Sequence, residues 1–254
     1  MKSITVKSND AGQRVDKLLL KTFETLPKSM MFKQIRKKNI KVNKKRCTPE
    51  QILCEGDVID LYLNDDMLVE KKKHYDFLNA PKELSIIYED ENIILLNKKQ
   101  GELCHPDSKE YVNTLIASLK RYLYEKGEWS PEEENSFTPS LANRIDRNTG
   151  GIVIGAKNYQ ALKILNEKIK SREIKKFYLT VACGKFEKQS DILKGYLKKD
   201  ERKNIVKVFD KPIDGAKEIA TKYTVLGYYP DVSLVEVELL TGRTHQIRAH
   251  LASI

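Results

Sequence analysis

Two short stretches near the start of the chain repeat their apolar positions at helical spacing. The first follows Asp16 and the second follows Ser29, a residue type that caps helices, so two amphipathic helices are predicted. Their apolar positions are Val15, Leu18, Leu19 and Phe23, then Met31, Phe32 and Ile35. Residues 40–43 and 57–63 alternate instead, which predicts two strands joined through a turn at 44–46.

The pattern becomes irregular over residues 74–82, which we interpret as a linker between domains 1–73 and 83–254. Beyond it, we expect a hairpin (84–88 and 93–96), a helix (113–124), a polar surface insertion (127–139), a buried strand (151–156), an Asn158-capped helix, and strands at 176–181, 220–226 and 234–240. Strands outnumber helices without a regular βαβ alternation. The predicted class is therefore α+β, with a mixed or antiparallel sheet in the larger domain and a small α/β domain before it.

Composition narrows the classes of protein. The chain has 254 residues, of which 40% are hydrophobic, enough for a core, so disorder as the dominant state is excluded. No apolar run approaches the roughly 20 residues of a membrane span, and residues 1–15 lack a secretory signal pattern. Four cysteines (Cys47, Cys54, Cys104 and Cys183) show no metal spacing, and we expect reduced thiols in a cytoplasmic protein.

The net charge of +10 is concentrated at the start of the chain. Residues 1–73 hold 17 basic and 10 acidic side chains, and residues 28–46 hold nine basic and no acidic ones. Such a surface is typical of a protein that binds polyanions. A solvated lysine-rich face is the alternative, and charge alone does not decide between them.

Several common sites are excluded by pattern. The sequence has neither Gly-x-Gly-x-x-Gly after a strand nor a phosphate-binding Gly-x-x-x-x-Gly-Lys loop, and neither Gly-x-Ser-x-Gly nor His-Glu-x-x-His. Its four histidines are scattered. His245 and His250 are five residues apart, so a hydrogen-bonding or orienting role is favoured for both. These patterns therefore give no support to a nucleotide site or to a metal site.

Two dense polar segments remain. In residues 141–151, Asp146 lies between Arg144 and Arg147 directly before the buried strand, an arrangement that keeps a carboxylate ionised. A salt-bridged turn is the alternative. In residues 239–251, cationic side chains and Gln246 follow a strand, which predicts a helix start that faces phosphate or RNA through Arg243, His245 and Gln246. Here the alternative is a basic surface helix.

The first domain resembles the S-four-like RNA-binding module. The matching positions are Arg14 and Asp16, Ser29, Asn39, Ile40 with Val42-Asn43-Lys44-Lys45, and Gly56-Asp57. Asn39 and Lys44 replace glycines; Asn39 is expected to take a left-handed conformation, and Lys44 to change the hairpin turn. The resemblance implies RNA contacts by Arg14, Lys28, Lys33, Arg36, Lys37, Lys38, Lys41, Lys44 and Lys45.

The larger domain resembles the RluA-type pseudouridine synthases in three motifs in the same order and spacing. They are residues 143–151 (Asn-Arg-Ile-Asp-Arg-Asn-Thr-Gly-Gly), 176–184 (Lys-Phe-Tyr-Leu-Thr-Val-Ala-Cys-Gly) and 242–251 (Gly-Arg-Thr-His-Gln-Ile-Arg-Ala-His-Leu). The resemblance implies isomerisation of uridine in RNA without a cofactor or metal. Large-subunit ribosomal RNA is favoured as the substrate, transfer RNA stays open, and a monomer without an obligate protein partner or membrane contact is expected.

The resemblance also implies roles for single residues. Asp146 is the catalytic carboxylate, as base or nucleophile; Arg144 fills the gap left by the flipped nucleotide. Tyr178 stacks on the uracil and helps remove its ring proton, and Arg248 pairs with Asp146. The remaining pocket residues are Ile247, Arg147, Thr149 and Gly150.

Departures from the family pattern leave a second function open. Asn143, Ile145, Asn148, Gly151 and Thr180 replace the usual residues. A non-catalytic RNA-binding or ribosome-assembly protein derived from this family is therefore the alternative, and DNA binding is a weaker third reading. Because family members continue beyond the last motif, we expect the catalytic domain to lack its C-terminal part at Ile254.

Overall fold

The computed structural model describes residues 1–200 and 205–254 and divides the chain into two compact units, Met1–Asn166 and Glu167–Ile254. These units differ from the predicted domains 1–73 and 83–254, whose boundaries stay predictions. Across the described residues, no helix has the length and apolar character needed to cross a membrane.

The first unit begins with a small module of two helices and four strands. Its elements are β1 (Lys2–Thr5), α1 (Val15–Thr22), α2 (Lys28–Arg36), β2 (Ile40–Val42), β3 (Lys45–Arg46) and β4 (Val58–Leu61). The strands form an antiparallel sheet in the order β1-β4-β2-β3. The predicted apolar positions of α1 and α2 join one core with Ile40, Ile59 and Leu61, so the helical periodicity is confirmed.

Three local predictions in this module are wrong. Ser29 lies inside α2, because Pro27 takes the extended conformation before the first turn. The left-handed residue after α2 is Lys38 (φ 66°), while Asn39 bonds Gln34 through its side chain. Asn43 and Lys44 are both left-handed (φ 50° and 62°) and lie between Val42 and Lys45, which pair with each other. The hairpin therefore has the two-residue turn that usually favours Asn-Gly, and Lys44 does not change it as predicted.

The rest of the first unit places a second antiparallel sheet beside two helices. It contains β5 (Ile86–Glu89), β6 (Ile93–Lys98), α3 (Leu115–Glu125), β7 (Ser140–Leu141), β8 (Gly151–Ala156) and, crossing the boundary between units, α4 (Tyr159–Lys170). The strand order is β5-β6-β8-β7. Asn158 Oδ1 accepts the Ala161 N–H at 2.8 Å, which confirms the predicted cap. β8 is buried at Val153 but exposed at Ile152, at 53%, so the buried strand was predicted only in part.

Two segments interpreted as linker and surface insertion are packed. Asp76–Asn79 forms a short 3-10 helix whose Phe77 ring lies 5.6 Å from Tyr124 and 5.5 Å from Trp129. Trp129 and Phe137 are only 6% and 4% exposed, whereas Glu132, Glu133 and Thr138 are exposed, so residues 127–139 lie at the surface only in part. The many acidic and turn-forming residues of this segment obscured its few buried apolar positions.

The second unit is a five-stranded antiparallel sheet followed by a short helix. Its elements, after the end of α4, are β9 (Phe177–Cys183), β10 (Ser190–Asp200), β11 (Ile205–Phe209), β12 (Lys217–Tyr228), β13 (Val232–Leu239) and α5 (Gln246–Leu251). The strand order is β11-β10-β12-β13-β9. β9, β12 and β13 confirm predicted strands. Elsewhere in the chain, β3 was predicted as part of a turn, and β1, β7, β10 and β11 were not predicted. The α+β class with antiparallel sheets is confirmed.

Candidate active site

Asp146 lies in a loop of the first unit, between β7 and β8. Its side chain is half-buried, while Arg144 and Arg147 on either side are exposed. The Asp146 carbonyl accepts the Thr149 N–H at 3.0 Å, which closes a turn directly after the carboxylate. Asn143 fixes the start of the loop, because its Oδ1 accepts the Ile154 N–H of β8 at 2.8 Å.

The residues on both sides of Asp146 are held by the segment that follows β6. The Arg147 carbonyl accepts the Gly101 N–H at 2.9 Å, and Arg147 Nε donates to the Gly101 carbonyl at 3.0 Å. On the other side, the Cys104 thiol donates to the Ile145 carbonyl at 3.5 Å. Asp146 is therefore carried between two anchored peptide groups, which restricts where its carboxylate can lie.

Lys98 completes this support and was not predicted as a site residue. It is 1% exposed, and its ammonium group donates to three backbone carbonyls: Lys99 at 2.8 Å, Glu102 at 2.8 Å and Arg147 at 3.1 Å. Burial lowers the pKa of Lys98, and the nearby acidic groups of Cys104, Glu102 and Asp146 oppose that shift. The only signal in the sequence is a lysine at the end of an apolar strand.

Two further residues of the predicted pocket lie on the same loop as Asp146. Thr149 is half-buried and supplies the N–H of the turn, and Gly150 is exposed. A Cβ atom at position 150 would lie 3.4 Å from the Lys98 carbonyl, so the loop runs close to β6 there. The structure thus brings Arg144, Asp146, Arg147, Thr149 and Gly150 together in one loop.

In the second unit, Tyr178 on β9 and Ile247 on α5 pack against the same apolar cluster of Tyr223, Val225, Val235 and Val237. Tyr178 pairs with Val237 across the β9–β13 ladder, which fixes the face on which its ring lies. Arg248 follows Ile247 in α5 and is exposed. Within this unit, the structure therefore brings together the two predicted pocket residues on one core.

Some polar residues at the start of α5 are exposed and others are buried. Arg243 is exposed, but Gln246 is only 2% exposed and its side chain bonds Thr241, Thr221 and two backbone groups. The prediction that Gln246 contacts RNA is therefore wrong; it stabilises the turn between β13 and α5. His245 is half-buried with φ 55°. His250 is 2% exposed and bonds Thr221 Oγ1 at 2.9 Å, so its hydrogen-bonding role is confirmed.

The basic residues of the first module form an exposed surface on α2 and the β2–β3 hairpin, called here the basic surface. Its members are Lys28, Lys33, Arg36, Lys37, Lys38, Lys41, Lys44 and Lys45, of which only Lys41 is partly buried. Across residues 1–200 and 205–254, none of them forms an ion pair. Arg14 differs, because it donates to both Asp16 oxygens at 2.9 and 2.7 Å and also contacts Glu50.

These features can be compared with known proteins. A family model described as RNA pseudouridylate synthase matches residues 92–253, which include the Asp146 loop as well as Tyr178, Ile247 and Arg248. The chain belongs to the RNA pseudouridylate synthase family. A model of the S4 domain matches residues 13–59, and this range contains the whole basic surface.

Relatives of this synthase family extend over almost the whole chain. An uncharacterized RNA pseudouridine synthase from Mycoplasma genitalium is 36% identical over 250 residues, which cover 97% of this chain and 76% of that protein. The ribosomal large subunit pseudouridine synthase C of Vibrio vulnificus is 32% identical over 253 residues, 97% of this chain and 75% of that protein. The expected synthase class and RNA-binding module are thereby confirmed.

Solved structures support the fold of this synthase. Human RNA pseudouridylate synthase domain containing 1 superposes with a TM-score of 0.53 and 22% identity, covering 72% of this chain and 68% of that chain. Human RNA pseudouridylate synthase domain containing 4 has the same TM-score and 19% identity, with coverages of 66% and 64%. At these identities the comparison concerns the fold alone.

Proposed function

We propose that this synthase converts uridine to pseudouridine in large-subunit ribosomal RNA, with Asp146 as the catalytic carboxylate. The observation that carries the proposal is the Asp146 loop, because its flanking residues Ile145 and Arg147 are anchored and its carboxylate is half-buried beside the buried cation Lys98. The relatives named as large-subunit synthases favour ribosomal over transfer RNA. We further propose a cytoplasmic monomer.

The reaction is an isomerisation, so nothing is added or lost overall. The bond from ribose C1′ to uracil N1 breaks, the uracil rotates, and C1′ bonds to uracil C5, whose proton is released while N1 gains one. Asp146 acts on the ribose, either by bonding to C1′ or by removing a ribose proton. A fixed carboxylate favours both routes, since a positioned group avoids the entropic cost of finding its target.

The remaining residues bind and orient the nucleotide in this proposal. Arg144 is exposed beside Asp146, where a guanidinium can occupy the place of a nucleotide that leaves its stack. Tyr178 provides an aromatic face for the uracil and a group near its C5 proton, and Ile247 contributes an apolar wall. Arg248 is assigned as the charged partner of the Asp146 carboxylate.

The catalytic assignment is tested by tritium release from ribosomal RNA labelled at uracil C5. We expect release by the unmodified chain, loss of at least about 10³-fold in Asp146→Asn, and full activity in the control Asp66→Asn, an exposed aspartate of the first module. If the unmodified chain releases no tritium from ribosomal or transfer RNA and yet binds it, the non-catalytic alternative is correct.

The basic surface is proposed to bind the RNA backbone. Reversing the charge of Lys37, Lys38 and Lys41 should weaken RNA binding and flatten its salt dependence, by about 0.7–0.9 in the log–log slope for each phosphate that is no longer neutralised. The control reverses three exposed lysines of α4: Lys163, Lys168 and Lys170. An unchanged slope in the first variant would show that the basic surface is only a solvated face.

A further inference from the structure

Four consecutive residues of the segment between α3 and β7, residues 133–136, contact the small module of two helices and four strands at the start of the first unit. We call it the S4 module, because its residues 13–59 match the S4 domain. Asn135 Nδ2 donates to the Thr5 carbonyl at 2.9 Å, and Asn9 Nδ2 donates to Glu134 Oε1 at 2.6 Å. Lys7 Nζ donates to the Glu133 carbonyl. We call residues 133–136 the clamp.

A buried carboxylate lies at the centre of this contact. Asp10 is fully buried, at 0% exposure, and accepts Ser136 Oγ at 2.8 Å, Asn135 Nδ2 at 2.7 Å and the Lys7 N–H at 3.2 Å. Next to it, Gln13 is 1% exposed and donates to Ser136 Oγ at 3.0 Å. Because a buried charge without hydrogen bonds is costly, Asp10 is suited to the state in which the clamp is docked.

The segment that carries the clamp is fixed on both sides. Before it, Trp129 packs on Phe77, and after it Phe137 is buried. Lys73 Nζ, at the end of the predicted first domain, also donates to the carbonyls of Pro131 and Glu134, the latter at 2.8 Å. Only β7 separates this segment from the Asp146 loop, so the S4 module is tied to the chain that positions the catalytic carboxylate.

The S4 module contacts the clamp and presents its basic surface through different residues. Its bonds to the clamp come from residues 5–22, whereas the basic surface lies on α2 and the β2–β3 hairpin and stays exposed. RNA can therefore bind the basic surface while the clamp is docked.

We propose that the clamp holds the S4 module in one orientation and so determines which uridine of a bound RNA reaches Asp146. This inference rests on the proposed function. A module on a free tether would reach a range of uridines around its binding site, because a flexible connection fixes only a distance distribution. A docked module presents its RNA at a fixed position, and the clamp residues are then determinants of site choice without touching the substrate.

The first experiment removes the bonds of two clamp side chains with Asn135→Ala plus Ser136→Ala. The control is Glu132→Ala plus Thr138→Ala, two exposed positions of the same segment outside the clamp. Pseudouridines are mapped over transcribed large-subunit ribosomal RNA, and the rate is measured on a short uridine hairpin. We expect the ratio of main to secondary sites to fall on the order of tenfold, with the hairpin rate and the control unchanged. An unchanged site pattern in the clamp variant would overturn the proposal.

The second experiment tests docking independently of activity. Asn9→Cys and Glu134→Cys, combined with Cys54→Ser and Cys183→Ser to remove the exposed thiols, are bridged by dibromobimane, with N-ethylmaleimide as the one-thiol control. We expect rapid bridging in the folded chain, and the same site pattern in the bridged protein as in the unmodified chain. No bridging, or a bridged protein that loses the main site, would refute a permanently docked clamp. If bridging occurs but no RNA is modified by any variant, the proposed function is wrong and the docking stands.

Discussion

Glu89 is the centre of a charged network, and its replacement gives a quantitative prediction. The carboxylate of Glu89 on β5 bonds Lys157 at 2.8 Å, Lys126 at 2.9 Å and Tyr122 at 2.7 Å. Both lysines also contact Glu128, at 2.5 and 2.7 Å. Since the Glu89 side chain is 16% exposed and that of Lys157 is 7% exposed, solvent screens this network only in part.

Burial alone would raise the pKa of Glu89, but the hydrogen bonds from Lys157, Lys126 and Tyr122 outweigh it and lower the pKa from 4.5 to about 2. At about 1.4 kcal/mol for each tenfold change in proton affinity, a pKa lowered from 4.5 to about 2 corresponds to about 3 kcal/mol of folding free energy. Because the folded-state pKa is the lower one, this stabilisation is complete above about pH 4.5 and is lost as the pH falls towards 2.

The assay is urea unfolding of the unmodified chain and Glu89→Gln between pH 7 and pH 2.5. We expect the variant to be less stable by about 3 kcal/mol at pH 7, and the difference to shrink below pH 4.5 as the unmodified carboxylate takes up its proton. Glu91→Gln is the control, since Glu91 is exposed on the same turn and should change stability by at most about 0.5 kcal/mol. A difference that stays constant with pH would refute the electrostatic reasoning.

Two further substitutions test the supports of the site and of the basic surface. Lys98→Met leaves three carbonyls without their buried donor, so it should lower the unfolding free energy by about 2–4 kcal/mol and slow single-turnover isomerisation. Lys99 is exposed, and we expect Lys99→Met to change neither quantity. Equal effects of the two substitutions would contradict this reasoning. Lys44→Gly should raise the unfolding free energy by about 0.5–1 kcal/mol, because φ at position 44 is 62°; a loss of stability in urea would show that the lysine side chain stabilises the turn.

The elements that could be predicted from the sequence are those in which buried residues recur at regular local spacing. α1, α2 and the β5–β6 hairpin have regular apolar spacing, and Asn158 is a side-chain cap that acts over three residues. β10 was missed because it carries three lysines and a glycine, and β11 because it is only five residues long. Strand pairing also depends on partners that are distant in sequence.

The candidate site shows the same division. Arg144 and Asp146 could be found because their motif is contiguous. The burial of Gln246 could not, because it depends on Thr221, 25 residues away. Lys98 was missed for the same reason: lysine is usually exposed, and only the folded chain brings the Glu102 and Arg147 carbonyls around its ammonium group.

The way in which the Asp146 loop is anchored has a consequence for its tolerance of substitutions. The loop is held at the carbonyls of Ile145 and Arg147, which belong to the main chain and accept from Cys104 Sγ, Lys98 Nζ and the Gly101 N–H. Residues of many kinds supply the same carbonyl. Substitutions such as Ile145 and Asn148 can therefore occur around the carboxylate while the loop keeps its backbone conformation. The side chains of this motif can thus vary more than the position of the Asp146 backbone.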